Sequence, residues 1–509
     1  MWKRINSTLF FLVVSILTGI AQSHSDRGKA KKRNVLFVMC DQWRRQALGF
    51  VGEDPVITPN LDAFAKEAVF FKNTFTTRPI CTPSRASFFS GQYPVNTGVY
   101  GNGVRMSTKT ITMGDVAKKA GYNTGYIGKW HLDGPNEGYV PKDRRHGFDY
   151  WIISKGDRPF EQPYFIQDQK ERTVVRNSWE PDWVTDRAVE FLQSKKEDPF
   201  FLVVSYLTPH NGAGKGYEDR WMPGRRVNNE IRKGGGYAAP ERFEALYPDP
   251  EGMPRRPNIK PVGRPKDDAW RAFPGYFGAI TSIDENFGRL LQQLKDMGEY
   301  DNTIIVFTSD HGEMLGSQGR MTKGIWYEEA IGIPFLIAYP SKVKPALHDN
   351  IVNSIDIMPT LLGLAGLEIP ESVDGFNFTE LLLRGKQKDI PQEAYTSFDQ
   401  GEMTEHDRSW RAIRTDRYLF CLAKMEFYRY IKDGMVLYDL QEDPYQMKPI
   451  FRGMGRDREM DELFAKLKAH LDKTDDPFIS RQWKTDRASK FNWNNASDRS
   501  ILADTKYRK

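Results

Sequence analysis

Two short polar segments, each directly after an apolar run, carry side chains that could bind a metal ion. They are Asp41 with Gln42, and Asp310 with His311. Two carboxylates, an amide oxygen and an imidazole suit one divalent cation. Oxygen donors favour Ca²⁺ and then Mg²⁺ as the bound ion, and the imidazole of His311 is also compatible with Mn²⁺. Taken alone, each pair is more simply a turn or a helix cap.

A cysteine beside a predicted helix could supply a nucleophile. Residues 81–85 read Cys-Thr-Pro-Ser-Arg, in which Thr82 suits the N-cap and Pro83 the first helical position. Cys81 would then lie beside the positive end of the helix, where anions bind. Without further signals, a lone cysteine here is more simply a buried thiol.

The segment around Cys81 also belongs to a longer sequence pattern. Residues 81–85, continued by Gly-Gln-Tyr-Pro at residues 91–94, closely resemble the signature of the formylglycine-dependent sulfatases of the alkaline phosphatase superfamily. The resemblance implies that a maturation enzyme oxidises Cys81 to formylglycine, whose hydrate attacks the sulfur of a sulfate ester. It also implies that Arg85 stabilises the charge of this nucleophile.

Four more residues lie in segments that resemble active-site motifs of the same family. They are Lys129 and His131 in Gly-Lys-Trp-His-Leu, His210 after a Phe-Phe-Leu-rich run, and Lys323 ahead of Tyr-Glu-Glu. The resemblance implies that Lys129 and Lys323 bind the sulfate group. His210 would contact the substrate and protonate the leaving oxygen, and His131 would take a proton from the hydrate. In isolation, a Lys-x-His pair usually consists of solvent-exposed residues without a catalytic role.

The two polar pairs also resemble the metal-binding segments of the family. The resemblance implies one cation held by Asp41, Gln42, Asp310, His311 and the modified residue 81. Many relatives have a second Asp where this chain has Gln42. Because an amide carries no charge, we expect a cation that is held less tightly but is a stronger Lewis acid.

Continuous apolar runs of strand length indicate strands buried on both faces. They lie at residues 35–40, 200–206, 303–307 and 334–338. Helical patterns lie between them, at residues 61–70, 113–120, 183–192 and 277–294. The alternation predicts an α/β fold, and the resemblance implies a large mixed, mostly parallel sheet sandwiched by helices, as in alkaline phosphatase. Ligands of such sheets bind beyond the carboxyl ends of the strands, so the polar residues after three of these runs should converge.

Changes in composition and in hydrophobic pattern along the chain predict its division into domains. We expect a signal peptide at residues 1–23, a catalytic domain at 34–385, a smaller α+β subdomain at 389–480 and a polar tail at 481–509. Residues 211–274 are rich in Gly, Pro, Arg and Trp, and they separate the second run from a long helix. Loops of that length are usually functional or disordered, and this one is interpreted as shaping the substrate site.

The N-terminus predicts export. Lys3 and Arg4 precede an apolar run at residues 9–20, and small residues follow it, as in a signal peptide. The run is short for a membrane span, so we expect a periplasmic or secreted enzyme without a stable membrane anchor; an uncleaved anchor is the alternative. Three cysteines do not make a disulfide scaffold. The net charge of +6 fits an anionic substrate or an ordinary surface equally well, and we expect no nucleic-acid partner.

Two other functions compete with sulfate-ester hydrolysis. A phosphonate or phosphate ester hydrolase of the same superfamily would use a similar metal site, although Lys129, His131, His210 and Lys323 lie in motifs that resemble those of sulfatases. A catalytically silent protein that binds polyanions would use the arginines of the long loop, but the intact Cys81 segment argues against it. Export and the Arg- and aromatic-rich loop indicate a sulfated carbohydrate substrate, with aryl sulfates as surrogates.

Overall fold

The structure is a computed structural model of the chain. It describes residues 32–134, 139–154, 164–167, 172–174, 178–194, 198–211, 225–227, 230–232, 237–259, 269–399, 409–423 and 434–479. A compact unit begins at Asn34. The predicted signal peptide at 1–23 and the predicted tail at 481–509 lie outside the described residues. Within those residues, we find no helix with the length and apolar character needed to cross a membrane.

The strands belong to one large sheet, a smaller sheet and a short hairpin. In chain order they are β1 Asn34–Asp41, β2 Val69–Phe75, β3 Asn123–Lys129, β4 Tyr150–Ser154, β5 Tyr164–Ile166, β6 Arg172–Val174, β7 Phe200–Pro209, β8 Arg225–Val227, β9 Glu230–Arg232, β10 Thr303–Ser309, β11 Phe335–Ala338, β12 Ala346–Asn353, β13 Glu393–Phe398, β14 Trp410–Thr415, β15 Tyr418–Ala423 and β16 Met435–Asp439.

The large sheet has ten strands in the order β12-β2-β11-β10-β1-β7-β3-β4-β5-β6. Its central strands β10, β1, β7, β3 and β4 are parallel to one another. β11 is antiparallel to both of its neighbours, and β5 is antiparallel to β4 and β6. The sheet is therefore mixed and mostly parallel, which confirms the predicted fold class.

The α-helices of the described residues cover both faces of this sheet or pack on the smaller one. They are α1 Pro59–Ala65, α2 Cys81–Ser90, α3 Pro94–Thr97, α4 Met113–Lys119, α5 Glu180–Ser194, α6 Glu241–Glu244, α7 Phe273–Asp296, α8 Glu328–Ile331, α9 Ile357–Ala365, α10 Thr379–Arg384 and α11 Asp457–Lys473.

Burial on both faces explains why the central strands are continuous apolar runs. Successive side chains of a strand point to opposite faces. Val35, Phe37 and Met39 of β1 pack in one hydrophobic cluster with residues of α2. The residues between them pack in a second cluster with residues of α7. A polar side chain could enter neither cluster without losing its contact with water, so the polar residues of β1 are its first and its last, Asn34 and Asp41.

The smaller sheet has the order β13-β14-β15-β16 and is antiparallel. On one face, Phe420 and Leu437 pack against Leu463 and Leu467 of α11. Trp410, on β14, belongs to a different cluster that contains residues of α8. The C-terminal region therefore combines a sheet and a helix, as predicted for an α+β subdomain. Its separation as a domain that begins at residue 389 stays a prediction.

One predicted boundary was wrong. The helical pattern at residues 61–70 ends as α1 at Ala65, and Val69–Phe75 forms β2. The buried residues Leu61 and Phe64 of the helix lie so close to the first apolar residues of the strand that their spacing continued a helical pattern across the junction. Cys40 and Cys421 are buried free thiols.

Candidate active site

The site lies at the carboxyl ends of the central parallel strands. In the parallel pair of β1 and β10, Cys40 lies beside Ser309. The next residue of each strand, Asp41 and Asp310, is therefore also a neighbour of the other. The Asp310 N–H donates to the Cys40 carbonyl at 3.1 Å. The structure thus brings together the two strand ends that carry the predicted metal ligands.

Helix α2 begins at Cys81, and the prediction that Thr82 is its N-cap was wrong. The Thr82 N–H instead donates to the side chain of Asn102 at 3.0 Å. Asn102 therefore acts as an N-cap side chain usually does, but from a distant part of the chain. Cys81 lies in the first turn, at the positive end of the helix, with 1% of its surface exposed.

Cys81 belongs to a compact cluster of four buried side chains. Its Sγ lies 3.6 Å from Asp41 Oδ1 and 3.2 Å from His311 Nε2. His311 Nε2 lies 3.7 Å from Asp41 Oδ1 and 3.6 Å from Asp310 Oδ1. One ligand atom from each of the four residues lies within 4.8 Å of the others. Gln42, the other predicted ligand, uses its side chain differently and is described below.

Arg85 binds the two carboxylates of the cluster through one oxygen each. Its Nε donates to Asp310 Oδ2 at 2.9 Å, and its Nη2 donates to Asp41 Oδ2 at 3.3 Å. Its Nη1 donates to the Lys129 carbonyl and to the Ser205 hydroxyl, both at 2.8 Å. Because Arg85 takes the Oδ2 atoms, the Oδ1 atoms are the ones near His311.

These residues fit a divalent cation. The Gly312 carbonyl lies 2.9 Å from His311 Nδ1, which places the proton on Nδ1 and leaves the Nε2 lone pair for the cluster. Burial and the charge of Asp41 raise the pKa of Asp310 to about 6. A cation bound beside the two carboxylates would favour their charged forms and lower this pKa again. Asp41, Asp310, His311 and residue 81 are the residues that would hold it.

Positive charges surround position 81. Burial opposes the charged form of the Cys81 thiol. The charges of Lys129 and then Lys323 outweigh burial and lower the pKa of the thiol well below its usual range. An oxyanion at this position would meet the same charges, so the surroundings of residue 81 favour negative charge.

Lys129 reaches the cluster because a glycine precedes it. Gly128 has a φ of 109°, and a Cβ there would lie 1.9 Å from the Ser205 carbonyl oxygen of β7. Only glycine allows β3 and β7 to approach so closely at this point. The Lys129 ammonium forms a buried ion pair with Asp41 Oδ2. Burial opposes the charge of Lys129, but Asp41 and then Cys81 outweigh it and raise the lysine pKa.

The two predicted catalytic histidines both lie close to the Cys81 side chain. His131 has a left-handed backbone with a φ of 63°, a conformation that concentrates at functional positions. Its buried Nδ1 has no hydrogen-bond partner in the described part of the chain. His210 Nδ1 lies 2.7 Å from the Asn211 carbonyl, which leaves Nε2 as the nitrogen available to a ligand. Burial and then the charge of Lys323 lower the pKa of His210 to about 4.

Lys323 and Gln42 meet beside the cluster. The Lys323 ammonium donates to Gln42 Oε1. The Gln42 Nε2 donates to the Tyr237 hydroxyl at 2.9 Å and to Glu313 Oε2. Gln42 also has a left-handed backbone, with a φ of 71°. Its role as a metal ligand stays a prediction.

Four residues of the site were missed by the sequence reasoning. They are Asn102, Glu180, Tyr237 and Glu313. Buried Glu180 accepts the Leu207 N–H at 3.1 Å, shortly before His210. Tyr237 belongs to the long loop that was interpreted as shaping the site. Only Glu313 had a usable signal, since it follows His311 by two positions.

Comparisons with known proteins agree with this geometry. Residues 33–367 match the family model described as Sulfatase, and residues 316–476 match the one described as N-sulphoglucosamine sulphohydrolase, C-terminal. The ulvan-active sulfatase of Formosa agariphila is 34% identical, over 89% of this chain and 83% of that protein. The endo-4-O-sulfatase of Bacteroides thetaiotaomicron is 30% identical, over 90% and 96%. A solved structure in complex with its substrate D-glucosamine-2-N,6-O-disulfate is 26% identical, with a TM-score of 0.70 over 88% of this chain and 99% of that one.

Proposed function

The chain belongs to the sulfatase family and is a sulfuric ester hydrolase, and we propose that it removes sulfate from carbohydrates by using a formylglycine made from Cys81 and a divalent cation bound beside it. The observation that carries the proposal is the buried cluster of Asp41, Cys81, Asp310 and His311, whose ligand atoms lie within 4.8 Å of one another. Two carboxylates and an imidazole next to residue 81 are a donor set for such a cation.

Residue 81 supplies the nucleophile once a maturation enzyme has oxidised it to formylglycine. The positive charges of Lys129 and Lys323, which lower the pKa of the thiol, would equally stabilise an oxyanion there. Arg85 fixes the two aspartates through their Oδ2 atoms. When bound, the cation, with Ca²⁺ preferred by the oxygen donors, stabilises negative charge at residue 81 and on the sulfate group.

Two histidines transfer protons, each in a different half of the reaction. His210 protonates the alcohol oxygen as it leaves sulfur, and for this step both of its ring nitrogens must carry protons, with Nδ1 donating to the Asn211 carbonyl and Nε2 facing the leaving oxygen. Burial and the charge of Lys323 lower the pKa of His210 in the free site, and the negative charge of a bound sulfate ester would act in the opposite direction. His131 takes the proton of the remaining hydroxyl of residue 81, and sulfate then leaves. Lys129 and Lys323 bind the sulfate oxygens in both halves.

The carbohydrate substrate is supported by the relatives and by the long loop. The relatives include an ulvan-active sulfatase and an endo-4-O-sulfatase, and one similar solved structure contains a disulfated glucosamine. In the loop, Arg255 lies 4.6 Å above the ring of Trp270, and Tyr237 bonds to Gln42. Aromatic faces and guanidinium groups suit sulfated sugars. Residues 1–23 have the pattern of a signal peptide, which supports a periplasmic or secreted enzyme.

Turnover of a panel of sulfated mono- and oligosaccharides tests the proposal. Matched aryl sulfate and aryl phosphate esters, with Cys81→Ala as the inactive control, separate it from its competitors. Faster turnover of the sulfate ester, together with release of sulfate from at least one sugar, is expected. A preference for the phosphate ester would favour the phosphonate or phosphate hydrolase, and tight polyanion binding without any turnover would favour a silent binder.

A further inference from the structure

Glu313 is fully buried next to the site, and nothing in the proposed reaction uses it. We propose that its carboxylate is a positioning group that fixes the amide of Gln42 through one oxygen and the segment leading to Lys323 through the other. The inference rests on the proposed function, because it concerns how cation and sulfate are bound.

The first oxygen of Glu313 determines which way the Gln42 amide faces. Glu313 Oε2 accepts a hydrogen bond from Gln42 Nε2, and an ionised carboxylate can only accept. The amide nitrogen must therefore face Glu313. The amide oxygen is left to face the Lys323 ammonium, which donates to it. Because an ammonium group can only donate, Glu313 and Lys323 select the same orientation from opposite ends of the amide.

Tyr237 completes the arrangement. Its hydroxyl accepts from Gln42 Nε2 at 2.9 Å, and burial and then the nearby charge of Glu313 raise the pKa of Tyr237 well above its usual range. A hydroxyl can donate to the carboxylate while it accepts from the amide. All three side chains are buried, where a polar group left without its partner is costly. The orientation of the amide is therefore strongly determined.

The second oxygen of Glu313 holds the chain segment that carries Lys323. Glu313 Oε1 accepts the Leu315 N–H at 2.8 Å and the Thr322 N–H at 2.6 Å. The Met314 N–H also donates to the Thr322 carbonyl at 2.8 Å. Thr322 has a left-handed backbone with a φ of 65°, which surrounding contacts must maintain. Because Lys323 is the next residue, loss of this oxygen would release the lysine.

An amide at position 42 is thus complementary to the carboxylate at position 313. A carboxylate at position 42 would face the Glu313 carboxylate in a buried site, where two like charges are strongly unfavourable. This reverses the simple expectation that an added negative charge tightens cation binding. The sign of that effect gives a sharp test.

The experiment measures Ca²⁺ and inorganic sulfate binding by calorimetry on the full chain. Glu313→Gln should weaken both by roughly 10- to 100-fold, as is typical for residues that support a ligand. Asp284→Asn is the matched control, because Asp284 is also a buried carboxylate that accepts two backbone N–H groups, those of Asn60 and Leu61. The control should keep wild-type affinities, and wild-type affinities in Glu313→Gln would overturn the inference.

A double variant tests whether Glu313 acts through Gln42. If it does, Glu313→Gln should change Ca²⁺ affinity by less than about threefold in the Gln42→Ala background. Losses that multiply fully in the double variant would overturn this part. If Glu313→Gln does not fold, the Ca²⁺ affinity of Gln42→Glu, measured at pH 8, tests the inference instead. We expect weaker Ca²⁺ binding than in the wild type, and tighter binding would contradict the proposal.

Failure of the proposed function would look different. A wild-type protein that binds neither Ca²⁺ nor sulfate would contradict the cation and the substrate class, not the positioning role. In that case a crystal structure of Glu313→Gln decides: the carboxamide keeps only one acceptor oxygen, so either the Gln42 amide or the segment that carries Lys323 is expected to shift. Unchanged positions of both side chains would overturn the inference.

Discussion

Arg78 and Asp399 form an ion pair of 2.7 Å with only 3% and 4% of their side chains exposed. Arg78 precedes Cys81 by three positions, and Asp399 directly follows β13 of the smaller sheet. Arg411 of β14 also binds Asp399, at 3.0 Å. The C-terminal sheet therefore supports the segment that leads to the predicted nucleophile.

Asp399→Asn should destabilise the protein strongly, because it removes the buried carboxylate that pairs with Arg78, while Arg411 keeps its pair with Asp476. A buried pair broken on one side costs about 3–5 kcal/mol. Chemical unfolding measures this. Asp149→Asn is the control, since its pair with Lys118 is more than half exposed and should contribute less than about 1 kcal/mol. Equal stability of the two variants would contradict a supporting role for the Arg78–Asp399 pair.

Cys81 should be found as formylglycine in active protein. Peptide mass spectrometry of protein made with a maturation enzyme detects the conversion. Cys81→Ala should lower turnover by at least about 10³-fold, as loss of a nucleophile does, with an unchanged unfolding midpoint. Unmodified thiol throughout a preparation with full turnover would contradict the assignment.

Asp310→Asn should remove both cation and activity. Asp310 contributes one of the two carboxylates of the cluster and the main partner of Arg85 Nε. The loss of Ca²⁺ affinity should exceed the roughly 10- to 100-fold typical of residues that only support a ligand. Calorimetry measures it, and chelation of the wild type should abolish turnover reversibly. Full activity in thoroughly chelated enzyme would rule out the site.

Stability should fall with rising pH because of Asp356. Its buried oxygens accept the N–H groups of Phe376 and Asn353, each at 2.7 Å, yet burial raises its pKa from 3.8 to about 7. The folded state therefore keeps a proton that the unfolded chain releases, so this contribution is complete below about pH 4 and is lost as the pH rises through 7.

The variant Asp356→Asn should remove this pH dependence. Between pH 5 and pH 7.5 the wild type should lose about 2–3 kcal/mol from this group, and the variant, although less stable at pH 5, should not. Urea unfolding at several pH values measures the slope. Asp374→Asn, at an exposed carboxylate nearby, should keep the wild-type slope, and an equal slope in all three proteins would refute the assignment.

The fold class and the convergence of Asp41, Cys81, Asp310 and His311 could be predicted from the sequence, because both depend on local signals. Strands β1, β7 and β10 are continuous apolar runs because they are buried on both faces, and Asp41 and Asp310 follow them directly. Contacts between distant residues were not predictable. Gln42 meets Tyr237 and Glu313 across 195 and 271 positions, and Asn102 rather than Thr82 caps α2. No periodicity or spacing encodes such contacts.

The two histidines should be separable by the acidity of the leaving group. His210→Ala should slow esters of sugar alcohols much more than aryl sulfates, because a phenolate leaves without much help from an acid. The difference should be on the order of 10²-fold or more. Rates on a matched series of leaving groups measure it. Equal losses on all substrates would mean that His210 does not protonate the leaving oxygen.

His131→Ala should fail later in the reaction. If His131 acts only after the alcohol has left, the variant should release about one equivalent of alcohol per site and then stall. Rapid-mixing measurement of an aryl alcohol detects this burst, and His210→Ala, tested on the same aryl sulfate, serves as the control without one. Because both side chains lie close to Cys81, proximity alone does not distinguish them. A His131→Ala variant that is slow from the first turnover, with no burst, would mean that His131 acts before the alcohol leaves.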